Sequence, residues 1–497
     1  MTAYEELTKR AARMSSIGNA LGILGWDNET LMPKGGAETR AEALATLAVL
    51  RHDMVCDPAL ADLLDGAAAQ EDLNEWQRAN IREFRRNWVS ETAVSADLVE
   101  ASTKAIARCE LRWRQAREDS DFAGLNASLD EVLRLQTEIG AAKGERLGLS
   151  TYDALLDQFE PGMTADGIST LFDDLAGFLP DFIEAVLERQ ASRPTPVEPE
   201  GPFPILIQKQ LASQLMATVG FDFERGRLDE STHPFCGGAD NDVRITTRYD
   251  ENRFASALLG VLHETGHALY EQGRPVKWMN QPVGQSRGLG FHESQSLIIE
   301  MQAVRSREFL SYAAPVLRQA FGADGKAWNA DNLYRLFTKV DRSLIRVDAD
   351  EVTYPAHIIL RFRLEQAMIA GDLTLSELPG AWADGMSELV GVVPENDRLG
   401  CLQDIHWPGG AWGYFPTYTI GAMTAAQLFD AAKKANPGLM DCLAKGDFEP
   451  LVDWLRAAIH SQGCLYEAEE LLIRATGGPL DAAIFKAHLK RRYLGED

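Results

Sequence analysis

The stretch YDENRFASALLGVLHETGHALYEQG, residues 249–273, contains two histidines four positions apart and a glutamate directly after the first of them. Apolar residues recur at the spacing of one helix face, at Phe254, Leu258, Leu262 and Leu269. We expect Asp250 or Asn252 to cap the start of this helix. Gly273, followed by Pro275, marks its end. The pattern therefore predicts a helix that carries both histidines near its middle.

The spacing of His263 and His267 is close to one helical turn, so both imidazoles project from the same face and can bind one ion. Glu264 lies about 100° further round the helix, beside such an ion. Zinc lowers the pKa of a coordinated water toward roughly 7, so a neighbouring carboxylate can take its proton. The motif predicts a zinc-dependent hydrolase with Glu264 as general base.

A surface helix with two solvated histidines is the alternative interpretation. It conflicts with the apolar flanks of the motif, ASALLGVL before it and ALY after it, which predict a buried helix. Buried polar groups without partners cost a few kcal/mol each. We therefore favour the metal site over the solvated helix.

The third metal ligand is sought downstream, because a catalytic zinc usually takes three protein ligands and keeps one position for water. The segment FHESQSLIIE offers Glu293, which lies 293−267=26 residues after His267. Glu300 is a rival about two turns further along. No histidine occurs between His267 and His292, so the pattern with a third histidine soon after the motif is absent. Glu293 is the better candidate.

The composition narrows the class of protein. The 497 residues are 45% hydrophobic and 25% charged, as in ordinary folded proteins. The 49 basic and 74 acidic residues give a net charge of −25 without a Lys/Arg block, which argues against a nucleic-acid partner. Six scattered cysteines without a CxxC pair, and no secretory leader at the N-terminus, predict a cytoplasmic location.

One uncharged segment resembles a membrane helix only superficially. No Asp, Glu, Lys or Arg occurs between Asp404 and Asp430, but Pro408, Pro416 and several glycines fall inside it. We expect a buried loop followed by a buried helix, and no membrane partner.

The organisation of the chain is predicted to be mostly helical. Amphipathic patterns predict helices at Ala37–Leu64, Ser95–Arg117, Thr164–Gln190 and His292–Tyr312. The best strand candidate is Asp242–Tyr249, directly before the histidine helix. Five prolines near residues 191–204 rule out a regular helix there. We interpret that segment as an ordered surface loop rather than an interdomain linker, and residues 1–497 as one catalytic unit.

Six short motifs, in order along the chain, resemble those of the carboxypeptidase Taq family of zinc metallocarboxypeptidases. They are HPF at His233–Phe235, DxRxT at Asp242–Thr246, HExxH at His263–His267, HESQ at His292–Gln295, IRxxAD at Ile345–Asp350 and GxxQDxHW at Gly400–Trp407. The segments LGWDNETLMPKGGAETRAEALATL and YFPTYTIG also resemble the ends of that family's chains. The resemblance therefore extends along nearly the whole sequence.

The resemblance implies metal ligands His263, His267 and Glu293, with Glu264 as general base. It implies a large, mostly helical body with a long cleft and a very small sheet beside the active-site helix, like that of neurolysin and angiotensin-converting enzyme. It also implies one Zn²⁺ per chain and a cytosolic homodimer acting on peptides. Co²⁺ is the alternative metal, because affinity and availability jointly decide which ion is bound.

Within the matching motifs, three residues are candidates for stabilising the oxyanion: His406, Tyr414 and Tyr418. His233 is a candidate substrate contact. Each of these side chains also has a purely structural alternative, because a single Tyr is structural more often than catalytic.

A free α-carboxylate on the substrate calls for an arginine, whose planar fork matches it. Arg346 in IRVDAD is the first candidate and Arg244 in DVRITT the second. An arginine near Asp348 and Asp350 also fits a structural ion-pair cluster, so both interpretations of Arg346 remain open.

The leading hypothesis is a metallocarboxypeptidase that removes single C-terminal residues with broad specificity. The first alternative is an endo-acting oligopeptidase or dipeptidyl carboxypeptidase on the same scaffold, because the metal motif alone does not decide where the substrate is cut. The second is a non-catalytic metal-binding helical scaffold, against which the intact Glu264 argues.

Overall fold

Helices make up most of the computed structural model, which describes residues 2–496. In chain order they are α1 (Ala3–Thr30), α2 (Ala37–Val55), α3 (Ala59–Ala68), α4 (Glu75–Thr92), α5 (Ala96–Asp119), α6 (Phe122–Leu147), α7 (Thr151–Leu156), α8 (Ala165–Ala191), α9 (Ile205–Val219), α10 (Phe254–Gly273), α11 (Gly288–Leu297), α12 (Arg307–Phe321), α13 (Ala330–Phe337), α14 (Tyr354–Ala370), α15 (Leu378–Leu389), α16 (Pro416–Ala435), α17 (Leu439–Leu443), α18 (Glu449–Ala458), α19 (Ala468–Thr476) and α20 (Ala482–Leu489). The mostly helical fold class is confirmed.

Two of the helices predicted in the N-terminal half match the structure within two residues, and one does not. The predicted Ser95–Arg117 and Thr164–Gln190 correspond to α5 and α8. The prediction of one helix over Ala37–Leu64 is wrong, because the chain leaves the helix between α2 and α3. Pro58 stands at that break, where its missing N–H ends the hydrogen-bond ladder.

A three-stranded sheet lies against the histidine helix. Its strands are β1 (Gly226–Glu230), β2 (Cys236–Ala239) and β3 (Asp242–Thr247). Strand β3 is central, parallel to β1 and antiparallel to β2. Val243 and Ile245 on β3 are buried and pack with Val261 and Ala268 of α10. The predicted strand beside the active-site helix is confirmed, although it ends two residues earlier than expected.

Helix α10 has the predicted end but not the predicted start. It runs to Gly273, as expected, and begins at Phe254 without a side-chain cap. Asp250 and Asn252 do not cap it, so that prediction is wrong. The carboxylate of Asp250 instead accepts a hydrogen bond from the backbone N–H of Asn252 at 2.8 Å, which closes the turn that leads out of β3.

Two glycines let the next helix, α11, approach its neighbours closely. A Cβ on Gly266 of α10 would lie 2.3 Å from the carbonyl oxygen of Gln295 and 2.6 Å from the Cα of Ser296. On the opposite side, a Cβ on Gly421 of α16 would lie 2.8 Å from the Cγ of Glu293. Helix α11 is therefore held between α10 and α16 at contacts that leave no space for larger residues.

The helix predicted over His292–Tyr312 is in fact two helices. After Leu297 the chain widens into a π-helical segment, Ile298–Val304, and then leaves the helix. The hydroxyl of Ser306 caps α12 by accepting a hydrogen bond from the N–H of Phe309 at 3.1 Å. The periodicity continues across the break because both parts bury an apolar face, so the prediction of one helix is wrong.

The uncharged segment after Asp404 is a series of turns followed by the largely buried helix α16. The turns are partly buried, with Trp407, Trp412 and Phe415 in the core and Ile405 exposed, so the expected buried loop and helix are found with one exposed residue. Within residues 2–496, no helix combines the length and the apolar character that spanning a membrane requires.

The Pro-rich segment has neither helix nor strand from Ser192 to Pro204. The buried amide of Asn332 holds it at Val197, accepting from the backbone N–H and donating to the backbone carbonyl, both at 2.8 Å. The predicted single catalytic unit stays a prediction.

Gly266→Ala should lower the free energy of unfolding by about 1–3 kcal/mol, because the added methyl group overpacks the contact between α10 and α11. Gly260→Ala is the matched control on the same helix, where no atom lies within 4 Å of an added Cβ. It should stabilise the helix by about 0.5–1 kcal/mol. Denaturant unfolding of both variants measures the difference, and equal destabilisation would contradict the close-contact account.

Candidate metal centre and active site

Three side chains from two helices converge on one point. The Nε2 of His267 lies 3.4 Å from Oε2 of Glu293, and the Nε2 of His263 lies 3.9 Å from the same oxygen. Ligands about 2.0–2.1 Å from a tetrahedral zinc are separated by about 3.3 Å, so the cluster is close to that geometry. Within residues 2–496 these three form the one group of at least three His, Cys, Asp or Glu residues with metal-binding spacing.

The other nitrogen of each imidazole is held by a hydrogen-bond partner. His263 Nδ1 lies 3.0 Å from Glu300 Oε2, and His267 Nδ1 lies 3.0 Å from the carbonyl oxygen of His292. Such partners fix the ring orientation and direct both Nε2 lone pairs toward the same point. Glu300, the rival third ligand, therefore lies behind His263 and outside the cluster.

The electrostatics of the cluster favour a bound cation. Burial opposes a charge on His263, but Glu293, Glu300 and Glu264 outweigh it and raise its pKa to about 10. At His267 burial is the largest influence and lowers the pKa to about 4, so this imidazole is uncharged near pH 7 and has a lone pair to offer a metal ion. Two imidazole nitrogens and a carboxylate oxygen are ligands that suit a divalent ion such as zinc. The residues present thus fit such an ion.

Glu264 lies beside the cluster in a largely buried position, 7% exposed. Burial raises the pKa of its carboxyl to about 7. A carboxylate with that pKa can both accept and return a proton near neutral pH.

A cavity of about 350 Å³ opens on one side of the cluster. His263 and Glu293 form part of its wall, together with Arg346, Tyr354 and Tyr418. The structure therefore places the first candidate for carboxylate recognition in the same cavity as two of the candidate metal ligands.

Arg346 is buried and only partly engaged. Its Nε and Nη2 donate to Oδ1 of Asp404 at 2.9 and 2.7 Å, and its Nη1 donates to the hydroxyl of Tyr354 at 2.8 Å. A guanidinium has five N–H groups, so two remain after these three contacts. The expected structural partners, Asp348 and Asp350, do not form ion pairs with it: within residues 2–496 its one ion-pair partner is Asp404.

The three candidate oxyanion donors lie together. The ring of His406 is 5.3 Å from that of Tyr414, and the rings of Tyr414 and Tyr418 are 5.4 Å apart. His406 Nε2 lies 3.3 Å from the hydroxyl of Tyr418. Burial lowers the pKa of His406 to about 4, so this imidazole is neutral near pH 7. Of the three side chains, Tyr418 is the one that lines the 350 Å³ cavity.

Two other candidates lie apart from this cavity. Arg244 on β3 is paired with Asp242 and stacks on Trp26, with Cζ 4.5 Å from the ring centroid. His233 is exposed in the segment between β1 and β2, where its carbonyl oxygen accepts a hydrogen bond from the hydroxyl of Ser231 at 2.6 Å. The structure does not bring either residue to the wall that Arg346 occupies.

A larger cavity of about 680 Å³ lies between α1 and β2 and reaches the other side of the metal-site helices. His292 and Glu271 line it, with His292 Nε2 2.9 Å from Oε1 of Glu271. None of the three cluster residues lines this larger cavity, which reaches α10 and α11 at Glu271 and His292.

Two residues around the site, Tyr354 and Asp404, were not assigned a role from the sequence. Tyr354 lines the cavity and holds Arg346, and Asp404 bridges Arg346 and Arg361. Asp404 lies inside the GxxQDxHW motif, so its presence there was the available signal. Tyr354 had no such signal, because one tyrosine near a helix start is common in any helical protein.

Glu365 on α14 is a further residue of this kind. It is fully buried, and its carboxylate accepts hydrogen bonds from the hydroxyl of Tyr152 at 2.9 Å, Trp407 Nε1 at 2.8 Å and the N–H of Gly413 at 3.2 Å. Trp407 directly follows His406, and Gly413 directly precedes Tyr414. Glu365 thus fixes both ends of the turn that presents these two candidates.

A mostly helical body whose cleft holds a His, His and Glu cluster with a further glutamate beside it defines a metallopeptidase. Residues 6–493 match the family model described as Carboxypeptidase Taq (M32) metallopeptidase. The chain belongs to this family and is a metallocarboxypeptidase.

Relatives of this family resemble the chain over nearly its whole length. It is 37% identical to thermostable carboxypeptidase 1 of Thermus thermophilus, over 98% of this chain and 97% of that one. It is 31% identical to carboxypeptidase 1 of Bacillus subtilis, over 99% and 98% of the two chains. The solved structure of metallocarboxypeptidase 1 of Trypanosoma cruzi superposes with a TM-score of 0.97 at 40% identity, covering 99% of both chains.

Glu365→Ala should lower kcat far more than it changes KM, because the turn that presents His406 and Tyr414 loses its anchor. Each donor left without a partner should also cost roughly 1–3 kcal/mol of stability. Glu365→Gln keeps an oxygen for Trp407 and Gly413 and should restore most of kcat. Steady-state kinetics of both variants tests this, and a Gln variant as poor as the Ala variant would contradict the hydrogen-bond account.

Proposed function

We propose that this metallocarboxypeptidase is zinc-dependent and removes single residues from the C-terminus of peptides with broad specificity. One observation carries the proposal: Arg346, with two N–H groups still free, lies in the same cavity as His263 and Glu293. A donor for a terminal carboxylate at the metal site is what an enzyme needs to cut next to a chain end.

In the proposed reaction His263, His267 and Glu293 hold the ion. A zinc ion held there would supply Lewis acidity, which lowers the pKa of a water molecule and polarises the scissile carbonyl. Glu264 takes the proton of the attacking water on its carboxylate and returns it to the leaving amine.

We assign stabilisation of the developing oxyanion to Tyr418, because its side chain lines the cavity. His406 and Tyr414 then act from behind: His406 Nε2 lies at hydrogen-bond distance from the Tyr418 hydroxyl and orients it. Arg346 receives the terminal carboxylate, while Asp404 and Tyr354 keep its guanidinium in place.

Broad specificity agrees with the remaining wall of the cavity. Leu297 and Met301 supply apolar surface. Two further carboxylates line the cavity, and both are paired: Glu300 with His263 and Arg305, and Glu351 with His488 and Arg492. Neither carboxylate therefore leaves an uncompensated charge to select one type of terminal side chain.

We also propose a homodimer in the cytoplasm. The resemblance to the family supports the dimer, and the six cysteines, all without disulfide partners, support a reducing compartment.

Glu264→Gln should keep the metal and lose turnover by about 10³-fold or more, because the amide cannot take the proton. His267→Ala should lose both metal and turnover. Metal analysis of the purified variants, together with peptide hydrolysis rates with and without a chelator, separates these outcomes. Near-normal turnover of the Gln variant would remove Glu264 from the role of base.

Arg346→Lys should reduce kcat/KM for peptides with a free C-terminus about tenfold or more, since an ammonium lacks the planar fork. Amidated peptides should lose much less. An equal loss on both substrates would move recognition of the carboxylate to another residue.

The position of the cut is tested independently by mass spectrometry of a peptide digest. Loss of residues one at a time from the C-terminus is expected. Internal cleavage, removal of dipeptides, or equal cleavage of free and amidated peptides would favour the endo-acting or dipeptidyl alternative.

A further inference from the structure

The Pro-rich segment closes over a third cavity, of about 360 Å³, that the peptidase site does not use. Residues 193–196 form one wall, and the last turns of α8 form another with Val186 and Leu187. Arg335 at the end of α13 and Arg492 near the end of the chain complete it. This cavity lies within the size range of small-molecule sites.

The wall made by the Pro-rich segment is fixed in place. The buried side chain of Asn332 makes two hydrogen bonds with the backbone of Val197, both at 2.8 Å. Arg335 Nη1 donates to the carbonyl oxygen of Pro194 at 3.3 Å. The cavity is therefore preformed.

The charge of the cavity is opposite to that of the protein. Four cationic side chains line it, those of Arg193, Arg335, Lys339 and Arg492, and no Asp or Glu among residues 2–496 does. Lys339 is neutralised by Asp341, and Arg492 by Glu351.

Arg193 and Arg335 have no such compensation from any carboxylate among residues 2–496. Arg335 donates only to backbone carbonyls, and neither arginine is within 4.0 Å of a carboxylate of the described chain. Two uncompensated guanidinium groups thus face one cavity of a protein whose net charge is −25.

The surroundings of Arg193 add to this concentration of positive charge. Partial burial lowers the pKa of its guanidinium, and the nearby cations Arg189, Arg307 and Arg335 lower it further. Since these like charges repel one another, an anion bound between them would relieve the repulsion.

We propose that this cavity binds a small organic phosphate, with its dianionic group between Arg193 and Arg335 and its apolar part against Val186, Leu187 and Pro196. A phosphate monoester carries nearly two negative charges at neutral pH, which matches the two uncompensated guanidinium groups. Arginine forks bind phosphate oxygens in pairs. The apolar wall supplies a reason for an organic ester to bind more tightly than the free ion.

The proposed site is separate from the peptidase site. Arg492 lines this cavity, Glu351 lines the cavity beside the metal ligands, and the ion pair between them, 2.8 Å long, forms part of the partition. An anion bound at the metal centre would not contact Arg193, so substitution of Arg193 distinguishes the two locations.

The test is calorimetric titration of the intact metal-loaded enzyme with phenyl phosphate and, separately, with inorganic phosphate. We expect one saturable site that prefers phenyl phosphate. Arg193→Gln should weaken binding of phenyl phosphate about tenfold or more, because a charge-assisted hydrogen-bond donor is lost. Arg189→Gln is the matched control, because it removes the same charge from an exposed residue of α8 that does not line the cavity. This substitution should leave the affinity for phenyl phosphate within about twofold of that of the unaltered enzyme.

Peptidase activity and melting temperature are the controls for folding. Both variants should match the unaltered enzyme in these two measurements. Absence of saturable binding, or equal affinity of the Arg193→Gln variant and the unaltered enzyme, would overturn the proposal. So would an equal loss in the Arg189→Gln variant, since that would indicate a diffuse field rather than a site. Equal affinity for the two phosphates would overturn the role of the apolar wall.

Discussion

The close packing of α11 between α10 and α16 is the constraint on which the active site depends. Gly266 of α10 lies against the backbone of Gln295 and Ser296 in α11, and Gly421 of α16 lies against the side chain of Glu293 on the same helix. This proximity lets a glutamate from one helix reach the same point as two histidines from another. The ligand geometry therefore depends on the absence of a side chain at Gly266 and Gly421 as much as on the ligands themselves.

The charged groups around the metal ligands are paired with one another. The Nδ1 of His263 contacts Glu300, and Glu300 in turn is paired with Arg305. Behind Arg346, which lines the cavity, Asp404 accepts a hydrogen bond from Arg346 on Oδ1 and one from Arg361 on Oδ2. Buried ions are tolerated only when paired in this way. The framework thus keeps charged groups in position before any substrate arrives.

The sequence pattern predicted those elements whose structure depends on residues close together in the chain. The helix with both histidines, the strand β3 and the absence of regular structure near Pro194 all follow from residues close in sequence. The prediction failed where a helix changes type without a change in periodicity, as at Ile298–Val304. It also failed across Pro58, which separates α2 from α3.

The partners of Arg346 show why the rest of the site was out of reach of the sequence. The nearby Asp348 and Asp350 suggested an ion-pair cluster, yet the guanidinium pairs with Asp404, 58 positions away. Glu365 likewise acts on a turn more than 40 positions further along. Tertiary packing creates such contacts, and no spacing rule encodes them. The motif match identified the neighbourhood, and the structure supplied the connections.

The contacts of Glu351 imply an order in which the enzyme matures. This carboxylate lines the cavity beside the metal ligands, and three groups that hold it, His488, Arg492 and Tyr493, come about 140 positions later in the chain. A nascent polypeptide that has left the ribosome as far as α16 already contains His263, His267 and Glu293. It still lacks the cations that neutralise Glu351. The charge of Glu351 is therefore compensated by residues that are synthesised well after the three metal ligands.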